Sequence, residues 1–198
     1  QTAFQKASAG FYQDALILVN KAIEIAPHLS GIYRTWAMIE ANESHFIRSD
    51  ELFSKSINLS PQDTVSWYSW ANVKKKNGQF KEAIERYKRA LKLSKDNIKI
   101  ISPYAHTLTM TGELSAADEM YKKIFKIIDS EDSGHTDENR ITKTAYADNC
   151  RRWGEDHLNC HDYKSASVMF SLALNAINGV ISSGFSDEKT IDLKRKIC

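Results

Sequence analysis

The sequence predicts an all-α fold of stacked helix pairs, because three kinds of residue recur at one fixed interval. Members of each column lie 34 residues apart. Exact self-similarity at an interval of 20–50 residues is typical of a stacked-repeat architecture. The columns hold small residues (Ala15, Ser49, Ala83 and Ala117), turn residues (Gly10, Ser44, Gly78 and Gly112) and large residues (Tyr12, Phe46, Phe80 and Leu114).

The composition agrees with a folded, helical chain. Of its 198 residues 42% are hydrophobic and 26% charged, which is ordinary for a folded domain. Three prolines and eight glycines leave little room for disorder or for a turn-rich β fold. No run of 18 apolar residues occurs, so we expect no membrane span. The formal net charge of +2 says little about partners.

The clearest repeat runs over residues 64–97 and reads as two helices. Asp63 and Thr64 can cap the first helix, and Asn77-Gly78 ends it, since glycine accepts the left-handed conformation. The apolar stripes follow a spacing of three and four residues. They comprise Trp67, Trp70, Ala71 and Lys74 in the first helix, and Phe80, Ala83, Ile84, Tyr87, Ala90, Leu91 and Leu93 in the second.

The neighbouring units share this layout. Residues 30–63 form one unit that ends in Pro61, and a truncated unit before it closes with Pro27. Residues 98–131 form the next unit. Pro103 lies early in its first helix, and we expect that helix to begin near Ser102, where proline is tolerated.

The last third departs from the strict interval. Residues 129–138 are polar and predict a loop, after which Trp153-Gly154 and Ala166 resume the pattern. Ala166 follows Ala117 by 49 residues, so about 15 have been inserted. We therefore divide the chain into repeats over 1–131 and a region 132–198. That region holds the loop, a divergent fifth repeat with a long first helix (138–159) and the start of a further helix (187–197). Because both ends fall inside repeats, we expect a piece of a longer protein.

The stretch from Trp67 to Leu93 resembles the tetratricopeptide repeat. Trp67, Trp70-Ala71, Gly78, Phe80, Ala83, Tyr87 and Ala90 stand in matching places, and Pro27 and Pro61 match the closing proline. The resemblance implies a right-handed superhelical solenoid of antiparallel helix pairs. It also implies that the first helices of successive repeats line a concave binding surface.

The candidate binding residues are the positions of the first helices that lie off the apolar stripe. They form a mixed polar surface that suits an extended peptide or a helix. A purely solvent-facing role is an equal alternative. The two-carboxylate clamp of some family members is not expected, because Thr35, Ser69 and Pro103 replace the required Asn or Arg. The candidates are Arg34, Met38, Asn42, Tyr68, Asn72, Lys75, Lys99, Ser102, His106 and Thr109.

Other groups of residues give weaker evidence for a functional site. His157 and His161 are four residues apart, with Cys150 and Cys160 nearby, but the register places Cys160-His161 in a turn, so we expect no metal site. The basic run 74–76 could join Arg34 and Lys99 in a surface for nucleic acid, although a positive last turn needs no partner. No nucleophile, phosphate-loop or dinucleotide motif appears, so we expect neither catalysis nor a cofactor.

These observations predict a non-enzymatic scaffold that binds a peptide or helix of another protein. An odd count of three cysteines does not resemble a secreted disulfide framework, so we expect a cytoplasmic protein. Two alternatives stay open: the regulatory or sensor arm of a larger multidomain enzyme or signalling protein, and an RNA-binding helical-repeat protein. A partner protein, or other domains of the parent chain, is expected in preference to nucleic acid.

Overall fold

A computed structural model describes residues 2–130, 137–182, 184 and 187–198 of the chain. Eleven helices and no strands are present in these ranges. The chain divides into two compact units, Gln1–Lys95 and Asp96–Cys198.

The first unit contains three helix pairs. Within each pair the two helices pack against each other, and α3 also contacts α1, α2 and α5. The helices are α1 (Ala3–Ser8), α2 (Tyr12–Ile25), α3 (Ser30–Asn42), α4 (Phe46–Leu59), α5 (Thr64–Lys76) and α6 (Phe80–Leu93). As the sequence predicts, Asp63 caps α5, since its side chain accepts a hydrogen bond from the Val65 N–H.

The second unit contains two full pairs and one further helix. In it α7 packs against α8 and α9 against α10, while α11 contacts both α9 and α10. The helices are α7 (Ile98–Thr111), α8 (Leu114–Ser130), α9 (Asp137–Asn159), α10 (Tyr163–Ser182) and α11 (Glu188–Ile197). The odd-numbered helices are the first helices of their repeats, and the even-numbered ones are the second helices.

The small-residue column lies at the centre of each helix pair. Ala15, Ser49, Ala83 and Ala117 are all 0% exposed, and Ala166 continues the column at 1%. Larger side chains fill the space beside these close contacts, and in the first unit the larger of two clusters lies around α3, α4 and α5. Its members include Tyr33, Leu52, Phe53, Ile57, Trp70 and Val73.

The residues of the turn column adopt the left-handed backbone conformation that the sequence predicts for them. Gly10, Gly78 and Gly112 have φ between 73° and 84°, and Ser44 has φ 64°. His161, with φ 60°, stands in the same column of the fifth repeat, 49 residues after Gly112. Its backbone therefore serves the turn between α9 and α10.

Two expectations about helix ends are wrong. The helix containing Pro103 begins at Ile98, capped by Asn97, rather than near Ser102, so Pro103 lies inside α7. Pro103 is the sixth residue of α7, beyond the first four N–H groups that have no partner within a helix, so it removes one backbone hydrogen bond, to the Lys99 carbonyl. The predicted loop over 129–138 is longer than the segment between the two helices, because α8 extends to Ser130 and α9 begins at Asp137. Residues 131–136 lie outside the described residues.

Among the described helices, α10 alone is long and apolar enough to cross a membrane by length and composition, with a mean hydropathy of 1.4. This is only weak evidence for a membrane span, because a helix packed in the core of a protein meets the same criterion. Ala166, Ala173, Ile177 and Val180 on α10 are buried. The absence of a membrane span stays a prediction.

We predict that Ser44→Gly stabilises the protein by about 0.5–1 kcal/mol. A left-handed residue with a Cβ costs roughly 1–2 kcal/mol, whereas glycine adds only about 0.5–1 kcal/mol of chain entropy. His161→Gly should gain less, because His is among the side chains that tolerate this region. Denaturant unfolding measures both, and the reverse change Gly78→Ser should destabilise. Ser44→Gly without any gain would contradict the assigned turn.

Candidate binding surface of the first helices

In the first unit the predicted surface comes from α3 and α5, which pack side by side. Arg34 is already engaged, since its Nη1 donates to Asp63 Oδ2 at 2.7 Å. Burial alone would raise the pKa of Asp63. The hydrogen bond from Ser66, the Arg34 charge and two backbone N–H groups outweigh it and lower that pKa. Arg34 therefore fixes the entry to α5 and has little charge left to offer a ligand.

Two more candidates on this face also serve the fold. Met38 packs against the core cluster of the first unit. Asn72 accepts a hydrogen bond from the hydroxyl of Tyr87, whose side chain is fully buried. The Tyr68 ring lies 6.4 Å from the Tyr87 ring, and Tyr68 is half-buried. Asn42, at the end of α3, is exposed.

Lys75 differs from its neighbours on α5. Its side chain is half-buried, and burial lowers the pKa of its ammonium group. No carboxylate of the described residues forms an ion pair with it. A partly desolvated ammonium without a carboxylate gains free energy when an anionic group reaches it.

Of the four candidates on α7, the structure leaves three accessible. Lys99 and His106 are exposed and Ser102 is half-buried. Thr109 is 2% exposed, and its Oγ1 donates to the Ala105 carbonyl and contacts Asn149 Oδ1 at 3.0 Å. Asn149 Nδ2 in turn donates to the Leu114 carbonyl. Thr109 thus ties α7 to α9 and presents no surface to a partner.

The first helices of the second unit enclose an open groove of about 500 Å³. His106 of α7 is the one predicted candidate on it. Ile141, Ala145 and Leu193 provide apolar surface, and Ile141 is 55% exposed. The remaining lining residues are polar or charged: Arg140, Thr144, Asp148, Asp187 and Lys189.

The charges of this groove balance. Arg140 and Lys189 oppose Asp148 and Asp187. Arg140 Nη1 lies 3.2 Å from Asp187 Oδ2, and Asp148 pairs with Arg151 and Arg152 on its own helix. The groove therefore combines an apolar strip with a neutral, hydrogen-bonding rim.

Sequence reasoning missed most of this groove. Arg140, Ile141, Thr144 and Ala145 belong to the extra N-terminal turns of α9, which no regular repeat contains. The 34-residue register says nothing about such turns. A usable signal was the spacing of Ile141, Ala145 and Asp148 by four and three residues, which places them on one helix face.

The basic run at the end of α5 is partly internal. Lys74 is 3% exposed, and its Nζ lies 2.5 Å from Asp50 Oδ2 and 2.9 Å from Glu82 Oε2. Trp70 Nε1 donates to the other Asp50 oxygen. Lys74 and Arg34 are thus committed to contacts within the protein, which removes two cations from the predicted nucleic-acid surface.

The His and Cys cluster is spread along a helix end and its turn. His157 Nδ1 lies 3.3 Å from Asp162 Oδ2, and Cys150 is buried in a cluster with Ala147, Ala173, Ile177 and Leu193. Cys160 and His161 are exposed in the turn. In the described part of the chain, no three His, Cys, Asp or Glu side chains are arranged to hold a metal ion.

Comparison with known proteins agrees with this architecture. Residues 75–131 match the sequence model of the tetratricopeptide repeat family. No curated protein matches the chain in sequence. Among solved structures, MamA has a TM-score of 0.65 at 14% identity, over 92% of this chain and 98% of that one.

Two further structures show the same likeness. A MamA fragment from Desulfovibrio magneticus RS-1 has a TM-score of 0.61 at 15% identity, covering 89% of this chain and 92% of its own. YrrB, described as a TPR protein with an unusual peptide-binding site, has a TM-score of 0.64 at 17% identity, covering 98% and 88%. At such identities the likeness shows the fold alone.

The repeat pattern and the helix pairs agree with the tetratricopeptide-repeat fold, and the family match itself covers residues 75–131. The predicted fold class, an all-α solenoid of antiparallel helix pairs, is confirmed. The fold supports a role as a protein-interaction scaffold.

We predict that a thiol reagent at pH 8 labels two of the three cysteines in the folded protein. Cys160 and Cys198 are exposed, whereas Cys150 is fully buried, and burial raises the pKa of its thiol to about 11. Only the thiolate reacts, so Cys150 should react after unfolding in denaturant. Mass spectrometry of the labelled peptides identifies the sites. Rapid labelling of Cys150 without denaturant would contradict the packing of α9 against α10.

Proposed function

We propose that the protein binds an extended peptide or a helix of a partner protein on the surface of its first helices. The observation that carries this proposal is the groove lined by α7, α9 and α11. Ile141, Ala145 and Leu193 line it together with polar and charged side chains. Such a combination suits a segment with alternating apolar and polar side chains.

Lys75 provides a separate candidate contact, within the first unit. Its half-buried ammonium group favours an acidic side chain or a chain-terminal carboxylate. Tyr68 lies one helical turn away from Asn72, which in turn precedes Lys75, so all three belong to one face of α5. Arg34, Met38 and Thr109 act mainly in the fold.

A peptide fits the groove better than a nucleic acid does. Binding to a polyanion relies on an excess of Lys and Arg. The groove has two carboxylates for its two basic side chains, and the chain as a whole has a net charge of only +2. The partner in this proposal is therefore a protein, and the scaffold itself performs no catalysis.

The location in this proposal is the cytoplasm, a reducing compartment. Cys150 is a free, buried thiol, while Cys160 and Cys198 are free and exposed. An oxidising compartment favours the pairing of exposed thiols.

Selection of a random peptide library on phage against the full chain tests the proposal. We expect enriched peptides that lose at least about tenfold in affinity for Ile141→Asp, because a charge then interrupts the apolar strip. The matched control is Ile191→Asp. Ile191 is an exposed isoleucine on α11 that does not line the groove, so this change should leave affinity within about twofold.

Two results would contradict the proposal. One is a set of enriched peptides that bind both variants equally, which would place binding elsewhere. The other is binding of poly-uridine with a steep salt dependence and no enriched peptide, which would favour the RNA-binding alternative.

A further inference from the structure

A second cavity, of about 570 Å³, opens near the turn between α7 and α8, away from the groove described above. Leu114 and Ala116 of α8 and Trp153 and Cys160 of the α9 end form its less polar walls. Glu113, Glu119 and Asp156 are its acidic residues, all exposed. His157 lines it too, and among the described residues no lysine or arginine does.

Trp153 occupies the same repeat position as two other tryptophans of the chain, and both of those have an arginine over the ring. Trp153 precedes Ala166 by 13 residues, just as Trp36 precedes Ser49 and Trp70 precedes Ala83. Trp36 and Trp70 each have an arginine over the ring. The guanidinium carbon of Arg48 lies 5.1 Å from the Trp36 ring centre, and that of Arg86 lies 4.0 Å from the Trp70 ring centre.

Carboxylates lie beside both of these tryptophan–arginine pairs. Trp36 Nε1 donates to Glu40, and Arg48 pairs with Glu51. Trp70 Nε1 donates to Asp50, and Arg86 lies 3.7 Å from Glu82. The chain thus places a guanidinium over an indole twice, with acidic side chains beside it, although the two arginines occupy different register positions.

In the part of the chain that the structure describes, Trp153 has acidic side chains near it but no lysine or arginine over its ring. Within the described residues, its only ring contact is with His157 on the same helix, at 6.2 Å. The register positions that Arg48 and Arg86 occupy are Ser165 and Met169 in this repeat. Glu119 and Asp156 form no ion pair with any described residue, and Glu113 accepts a hydrogen bond from Thr111.

The electrostatics favour a cation in the cavity. The N-terminus of α8 contributes roughly half a positive charge, and the C-terminus of α9 roughly half a negative one, so the two helix ends nearly cancel. Three carboxylates then dominate. An aromatic face with negative charge around it attracts a guanidinium more than any neutral group.

We propose that this cavity binds an arginine side chain of a basic segment in a partner protein. The guanidinium stacks on Trp153, as Arg48 and Arg86 do on their own tryptophans, and Glu119 and Asp156 accept its N–H groups. The site is separate from the peptide surface of the first helices and stands whether or not that surface binds a peptide.

Proton–nitrogen NMR of the full chain tests this site with N-acetyl-arginine amide as the probe. Four tryptophans give four indole N–H signals, and Trp153→Phe identifies one of them. We expect the Trp153 signal to shift with the probe while the Trp36 and Trp70 signals stay in place. N-acetyl-citrulline amide, which has the same shape without the charge, should bind at least about threefold more weakly.

Charge variants provide the second measurement. Glu119→Gln and Asp156→Asn should each weaken binding of the probe by about twofold to fivefold, the range expected for exposed ion pairs. Glu188→Gln, a change of an exposed acid on α11 that does not line the cavity, is the matched control and should have no effect.

Three results would overturn the proposal. The Trp153 signal could stay unmoved at high probe concentration, or arginine and citrulline probes could bind equally. The signal could also shift with protein concentration alone, which would assign the cavity to a second copy of the chain and its basic α11.

Discussion

The close approach of two helices at a position with room for only a small side chain is the constraint on which the rest of the structure depends. Ser49 shows how close the approach is, because its Oγ donates to the Ala37 carbonyl of the facing helix at 2.8 Å. In the fifth repeat, Gly154 takes the place of that facing alanine, and a Cβ there would lie 2.9 Å from the Phe170 ring. A larger residue at either position forces the pair apart, and the neighbouring stripes then lose their contacts.

This packing decides which residues remain available for binding. Each first helix uses one stripe for its own pair and another for its neighbours, so only a narrow face is left. Some polar residues also form contacts within the protein. Glu40 accepts hydrogen bonds from Tyr12 and Trp36, and Lys74 pairs with Asp50 and Glu82, so both buried charges are compensated within the protein. The proposed binding face is consequently what remains after these internal contacts, and its net charge is low.

Much of the fold could be predicted from the sequence, because a fixed interval repeats one local solution. The helices of residues 30–97 and the left-handed turns follow from it directly. The expectation at Pro103 was wrong, since a proline inside a helix removes only one backbone hydrogen bond and α7 continues through it. The repeat interval does not predict most of the groove beside α9, because four of its lining residues lie in inserted turns without counterparts in other repeats, and only the helical spacing of Ile141, Ala145 and Asp148 indicates it. Thr109 was assigned to the binding face by register, whereas the packing of α9 buries it.

The most direct test of this account is the stability of Ala83→Leu against Lys81→Leu, both on α6. The two variants gain the same side chain, one at a fully buried contact and one at an exposed position. Unfolding in denaturant should show that Ala83→Leu lowers the free energy of unfolding by about 2 kcal/mol or more, the cost of overpacking. Lys81→Leu should stay within about 0.5 kcal/mol of the parent. Equal stability of Ala83→Leu and the parent protein would contradict the claim that close helix contacts at the small-residue column organise the fold.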